Sequence, residues 1–436
     1  GVMECWSDVF IPLLHYVPFW DAIMWIIKLA WRNLWRNKRR TLITISSICF
    51  GLVLALVFIG LGDGTYGTMI DSAARLGSGH ITLENPGYRK SLLTRLTLQS
   101  TNEVVKKFEG MREIEGWAPR ILGQAMLSTS YGSVGAAFIS VDPEQEKETT
   151  LFVDKIIEGT YLEDSEGRDA LIGRKMAKRL KVSIGSKMVI TANNLQGEIA
   201  GELLRVVGIF ETGSDMIDGY VLQIPLNRAR KLLGMNQEEV TQIAIFLDNQ
   251  RDTDRVMKKL EETLSDFKEV AVLSWREIMP ELAAYVELDG SSNYIFQVII
   301  FIIIAAGILN TILMSVLERQ FEFGVLLCLG MNPRNLLFLV LAESILLGLL
   351  GVTVGTLLGL AGNQYFTVKG FDLTLFTSSN IDISGIALDP VLYSDLYPDH
   401  LIIIVVLVFL MTVLAGVYPA VKAARSVPIE VLKKGK

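Results

Sequence analysis

The chain has 436 residues, of which 50% are hydrophobic and only 20% charged, with a formal net charge of −6. So apolar an average excludes an ordinary soluble protein, and the net charge, a sum of basic and acidic segments, gives no sign of a nucleic-acid partner. The cysteines, Cys5, Cys49 and Cys328, leave residues 63–293 with none, which excludes a disulfide-stapled domain there and any CxxC metal or redox pair.

Residues 1–23 lack the basic start and small-residue cleavage site of a secretory signal. They read either as an extra interfacial segment or as an extension ahead of a start at Met24. Residues 24–41 interleave Ile26, Ile27, Leu29, Trp31, Leu34 and Trp35 with basic residues, which predicts an amphipathic helix along the inner membrane surface. Four apolar runs follow, at 42–62, 294–316, 336–362 and 401–418, each close to the roughly 20 residues that a bilayer core demands of a helix. Lys28, Arg32, Arg36, Lys38, Arg39 and Arg40 precede the first span; Arg319 and Arg334 flank the link between the second and third. Lys422, Arg425, Lys433, Lys434 and Lys436 follow the fourth, whereas 363–400 carries only Lys369 against five aspartates. The positive-inside rule then puts both termini and residues 317–335 in the cytoplasm, and 63–293 and 363–400 outside.

The large external segment reads as α+β. GHITLE (79–84), SKMVITAN (186–193), ELLRVVGIF (202–210), GYVLQI (219–224) and VTQIAIFLD (240–248) are strand-like, and residues 102–110, 168–181, 225–234 and 251–266 have helical spacing. ETGSDMIDG, residues 211–219, reads as a Gly- and Asp-rich loop between strands, so Thr212, Gly213, Asp215 and Asp218 are candidates for contact with an external partner. The spacing of Asp215 and Asp218 matches no calcium loop, and no metal is expected.

The stretch ERQFEFGVLLCLGMNPRN, Glu318 to Asn335, is half-apolar and interrupts two spans. Beyond it, Glu343 is the one carboxylate within an expected span, about two turns or ten ångström from the helix start. It reads as a relay or, more simply, as a packing pairing with Ser, Thr or basic groups near the interface. Gly348, Gly351, Gly355 and Gly359 form a small-residue stripe suited to close helix packing and helix assembly. His15, His80 and His400 stand apart, with no HExxH and no GxSxG; a GxxxxGK[ST] phosphate loop is absent too, so ATP-driven work falls to a separate subunit.

Taken in order, these features resemble the MacB/FtsX-like permeases of ATP-binding-cassette systems. Glu318, Arg319, Glu322, Gly324, Leu326, Leu329 and Gly330 match the family's ER-x-x-E-x-G-x-L-x-x-LG segment. Pro419, Ala423, Pro428, Glu430 and Leu432 match its closing signature, and 173–190 and 204–234 are similar to the lipoprotein-releasing branch. The resemblance implies an α-helical membrane protein with four transmembrane helices and a large periplasmic α+β domain inserted between helices 1 and 2. It implies a non-catalytic permease subunit of the bacterial inner membrane, paired with a second permease chain, identical or different. A cytoplasmic ATPase would bind the ATP and Mg, so this chain would hold no cofactor. The ATPase would dock on a coupling helix whose candidate residues are Glu318, Arg319, Glu322, Phe323, Gly324, Leu326, Leu329 and Gly330, with the three charged ones at the rim of its groove. Extraction of lipoproteins from the outer leaflet is the leading expectation, with an external chaperone or adaptor as a further partner. The alternatives are peptide or drug export through an outer-membrane duct, and a signal relay to a periplasmic partner. The hairpin at 193–202 is short for a chaperone-recruiting hook.

Overall fold

The structure, a computed structural model, describes residues 19–91, 96–375, 382, 383, 386, 387 and 390–425. The expected extension up to residue 18, the closing positions Pro428, Glu430 and Leu432, and the last basic residues lie outside the described residues. Two compact units form, one from residues up to 65, 290–371 and 392 onward, the other from 66–289 and 372–391.

In chain order, α1 (Phe19–Arg36) and α2 (Lys38–Leu76) precede β1 (Ile81–Glu84), α3 (Thr101–Phe108), β2 (Ile114–Thr129), β3 (Gly132–Val141) and β4 (Ile156–Gly159). Then come β5 (Asp169–Gly173), α4 (Arg174–Leu180), β6 (Lys187–Asn193), β7 (Ile199–Phe210), α5 (Asp215–Tyr220), β8 (Val221–Pro225) and α6 (Leu226–Leu233). The order closes with β9 (Gln242–Leu247), α7 (Thr253–Thr263), β10 (Ala271–Ser274), α8 (Pro280–Glu318), α9 (Gln320–Cys328), α10 (Pro333–Lys369) and α11 (Pro398–Ala424).

In the first unit, α2, α8, α10 and α11 are long and apolar enough to cross a membrane. Three of them, with 39, 39 and 37 residues, overrun the apolar windows, and α2 stays helical through Gly60, Gly62, Gly64 and Gly67. The bundle core sets Ile48, Leu52 and Leu56 of α2 against Ile308 and Ile312 of α8, Val352 of α10 and Ile404 and Val408 of α11. The glycine stripe of α10 is used inside the chain. A Cβ at Gly351 would press on Ile48, one at Gly355 on Cys49 and Leu52, and one at Gly359 on Leu56, so the stripe lets α2 lie close along α10. Toward the other end of the same helices, His400 Nδ1 lies 2.8 Å from Asp63 Oδ2, Tyr397 N donates to that oxygen, and Ser394 Oγ donates to Asn363 Oδ1.

The second unit is built on a 10-stranded sheet of order β10-β1-β9-β2-β3-β8-β5-β7-β4, with β6 bridging β2 and β7. Antiparallel pairs dominate, but β3–β8 and β5–β7 are parallel, so the sheet is mixed. Its main core joins Ile81, Ile121, Phe138, Ile172, Leu222 and Ile245 from the strands to Val104, Phe108, Met176, Leu232 and Leu260 from α3, α4, α6 and α7. On a smaller layer, Met69, Ile70 and Ala73 of α2 meet Trp275 and Leu282. Arg120 and Glu146 are fully buried and paired, Nε donating to Oε2 at 3.0 Å, with the guanidinium 5.3 Å from the Phe246 ring centre.

One expectation changes here. Residues 168–181 are a strand followed by a helix, because Ala170, Leu171 and Ile172 are buried between β7 and β8, and Gly173 is extended where a Cβ would collide with the backbone of Asp218. The long β2–β3 hairpin is not visible as alternation in the sequence, because Gly116, Pro119, Gly123 and Gly135 and the small Ala118, Ala125, Ala136 and Ala137 interrupt it. The short connection at 194–198 is a tight turn: Asn194 Oδ1 accepts from Gln196 N and Glu198 N, and Gly197 supplies a φ of 83°.

Candidate functional site

The link between α8 and α10 is shaped by local chemistry. Helix α8 stops at Glu318, Arg319 leaves helical geometry at its cap position, and α9 resumes at Gln320. Gly330, with φ of 94°, ends the turn after α9 in a conformation that a side chain would strain. Asn332 then caps α10 by accepting from Arg334 N, with Pro333 at its first turn.

The charged residues of this link turn toward the chain itself. Arg319 is buried, and its Nη1 donates to both oxygens of Glu343 on α10 at 3.0 Å. Asn33 Nδ2 of α1 donates to Glu343 Oε1 at 2.8 Å. Arg319 Nε donates to Glu322 Oε2 at 3.2 Å, and Arg36 Nη2 reaches the same carboxylate at 2.5 and 2.7 Å. The Arg319 guanidinium also lies 5.0 Å from the centre of the buried Phe323 ring. One turn further, Arg40 of α2 donates to Glu318 at 2.8 Å and to Ser315 Oγ. A cavity of about 30 Å³, room for roughly one water, lies among Asn33, Asn37, Arg40, Arg319, Glu343 and Ser344.

This divides the eight candidate coupling residues. Arg319, Phe323 and Gly324 are buried, Phe323 against Ala30, Val316, Leu336 and Ala420, and Leu326 is half-buried. Glu318, Glu322, Leu329 and Gly330 are exposed, together with Phe321, which the matched motif does not include. The sequence expectation set Arg319 at a partner's rim; its guanidinium is instead spent on Glu343 and Glu322, since a cation on a half-apolar helix beside a buried carboxylate gains more by pairing there. Asn33 and Arg36 are the site residues that sequence reading passed over. Their one-turn spacing is visible, but their partners are 310 and 286 positions away.

In the inserted domain, Thr212 and Asp218 are buried and bonded to each other. Asp218 Oδ1 accepts from Thr212 N and Oγ1 at 2.8 Å each, and Oδ2 accepts from Gly213 N at 3.3 Å. The expected loop is thus a clasp leading into α5, with Ser214 as its N-cap. Asp215 faces solvent and pairs with Lys175, and Met216 and Tyr220 are exposed beside it.

Four membrane-length helices, a large α+β domain inserted between the first and second, and a short, largely apolar helix between the second and third make up the plan of a multi-pass permease. Comparison with known proteins agrees. The FtsX-like permease C-terminal family matches residues 294–428, and the MacB-like periplasmic core domain matches 41–263. The chain belongs to this family of ABC transporter permeases of the MacB/FtsX/LolC type. It is 22% identical over 418 residues to an uncharacterized ABC transporter permease of Methanocaldococcus jannaschii, covering 94% of this chain and 97% of that one. It is 22% identical to the lipoprotein-releasing system transmembrane protein LolC of Neisseria meningitidis, covering 90% and 94%. Similarity to the macrolide export ATP-binding/permease protein MacB of Nitrobacter winogradskyi, at 26%, covers 96% of this chain but 61% of that protein.

Proposed function

We propose that the chain is the permease subunit of an inner-membrane ABC transporter whose ATP and Mg are bound by a separate cytoplasmic ATPase, and that α9 is the helix on which that ATPase docks. The supporting observation is the two-sidedness of α9: Phe321 and Leu329 are offered outward, 53% and 77% exposed, while Arg319 and Phe323 root the helix in the bundle. An apolar outward face on a charge-anchored helix suits a partner's groove. In this reading α9 and both termini lie in the cytoplasm, in keeping with the basic residues beside the spans, and a second permease chain completes the complex. The substrate class we favour is lipoproteins or other lipidated molecules drawn from the outer leaflet, supported by end-to-end similarity to a relative named for lipoprotein release. The competing class, peptide or drug export, draws on the macrolide-export relative.

Docking is tested by Phe321→Asp and Leu329→Asp, which are expected to abolish co-purification of the cognate cytoplasmic ATPase while leaving membrane insertion intact. Retained co-purification in both variants would reject α9 as the docking helix. Substrate class is tested in proteoliposomes carrying both subunits and a triacylated lipoprotein: ATP-dependent release is expected, and its absence alongside transport of an amphipathic drug would overturn the lipoprotein reading.

A further inference from the structure

Asn33 and Arg36 stand one turn apart on α1, a helix that lies outside both family matches. Each reaches a carboxylate of a different element, Asn33 to Glu343 of α10 and Arg36 to Glu322 of α9. Arg319 joins those two carboxylates to each other. The five side chains therefore close a ring, Arg36–Glu322–Arg319–Glu343–Asn33, which returns to its start through one turn of α1. Arginine and glutamate alternate along its charged part and the neutral Asn33 closes it, so each carboxylate sits between two donors.

We propose that α1 is a working part of the coupling device, with Arg36 and Asn33 as positioning residues that set where α9 stands against α10. This rests on the reading of α9 as the ATPase-facing helix. The two halves of the ring differ in strength. Arg319 and Glu343 are buried, and loss of either partner would strand a charge. Arg36 and Glu322 have side chains 51% and 46% exposed, and water makes such a pair weak. Load on α9 therefore opens the outer half first while the inner half holds, and α9 pivots about Arg319. Helix α1 is suited to be the fixed post for this movement. Ala30 and Leu34 are buried on its inner side, while Trp25, Trp31 and Trp35 are exposed where aromatic side chains settle into a lipid interface.

The experiment uses the full chain in nanodiscs, alone and with its cognate cytoplasmic ATPase, as wild type, Arg36→Glu and Arg36→Lys. Amide exchange across 320–328 reads whether the ring holds α9; ATP hydrolysis reads whether that hold matters. Arg36→Glu is expected to speed exchange in α9 and to cut permease-dependent ATP hydrolysis by about fivefold, the upper range for an exposed pair. Arg36→Lys, which keeps a cation facing Glu322, is expected to leave both near wild type, so that the effect follows the charge at this position and not the loss of an arginine side chain. Wild-type exchange and hydrolysis in Arg36→Glu, or an Arg36→Lys chain as impaired as Arg36→Glu, would overturn the proposal. A wild-type chain that stimulates no hydrolysis, while its α9 exchange still responds to Arg36→Glu, would instead sink the ATPase-docking reading and leave the ring intact.

Discussion

Glu343 is a carboxylate on an otherwise apolar helix, tolerable only because three donor contacts from Arg319 and Asn33 meet its two oxygens. Replacing it with alanine leaves the Arg319 guanidinium buried beside an empty space, and removal of one partner of a buried pair costs about 3–5 kcal/mol. Glu343→Ala is therefore expected to lower the bundle's detergent-resistant unfolding midpoint strongly, with Glu343→Gln intermediate because it keeps acceptance without charge. A Glu343→Gln midpoint equal to that of the wild type would show that the charge is immaterial. Glu322 gives a pH signature at the same site. Burial opposes its charged form, yet hydrogen bonds from Arg36 and Arg319 outweigh that and hold its carboxyl below the ordinary value of 4.5. A lowered folded-state pKa means that its stabilisation is complete above 4.5 and fades as pH falls through the depressed value. Protection of α9 amides, corrected for intrinsic exchange, should hold from neutral pH to about 4.5 and weaken below, and Arg36→Ala should move that loss to higher pH. Protection unaffected by acid, or by Arg36→Ala, would count against Glu322 as the group that titrates.

Among the elements, the spans were the most legible because length and hydropathy report them directly. The glycine stripe of α10 was legible as a surface for close approach, but its counterpart was not, since nothing in the spacing of Gly351, Gly355 and Gly359 names Ile48 or Leu56. The same holds for the link: ER-x-x-E is visible, whereas the inward turn of Arg319 depends on Glu343, 24 residues on, and on an asparagine at the far end of the chain. In the inserted domain, parallel pairing of β5 with β7 overrode the helical spacing of 168–181. The stripe yields an element-scale expectation. Gly355→Leu forces side-chain atoms onto Cys49 and Leu52, and overpacking of this kind costs about 1–3 kcal/mol. A Gly307→Leu control has open space around the new Cβ and should leave thermal stability in detergent unchanged; equal losses in the two variants would refute the intramolecular role of the stripe.

At the scale of the whole molecule, each unit contains its own buried ion pair. The bundle has Arg319–Glu343, and the inserted domain has Arg120–Glu146, fully buried between β2 and the segment after β3. The two lie in units with separate cores, one of bundle residues such as Ile48, Ile308 and Val408, the other of sheet residues such as Phe138, Ile172 and Ile245. Distant sites without shared partners contribute additively to stability, so each pair should report on its own unit. Glu146→Ala is expected to destabilise the inserted domain by about 3–5 kcal/mol, seen as faster exchange across β2 and β9, with α9 and α10 protected as before. Glu343→Ala should do the reverse. If either substitution loosened both sets of amides to the same extent, the chain would be unfolding as one cooperative body, and an α9 displacement would have to be treated as a deformation of the entire permease rather than of the bundle alone.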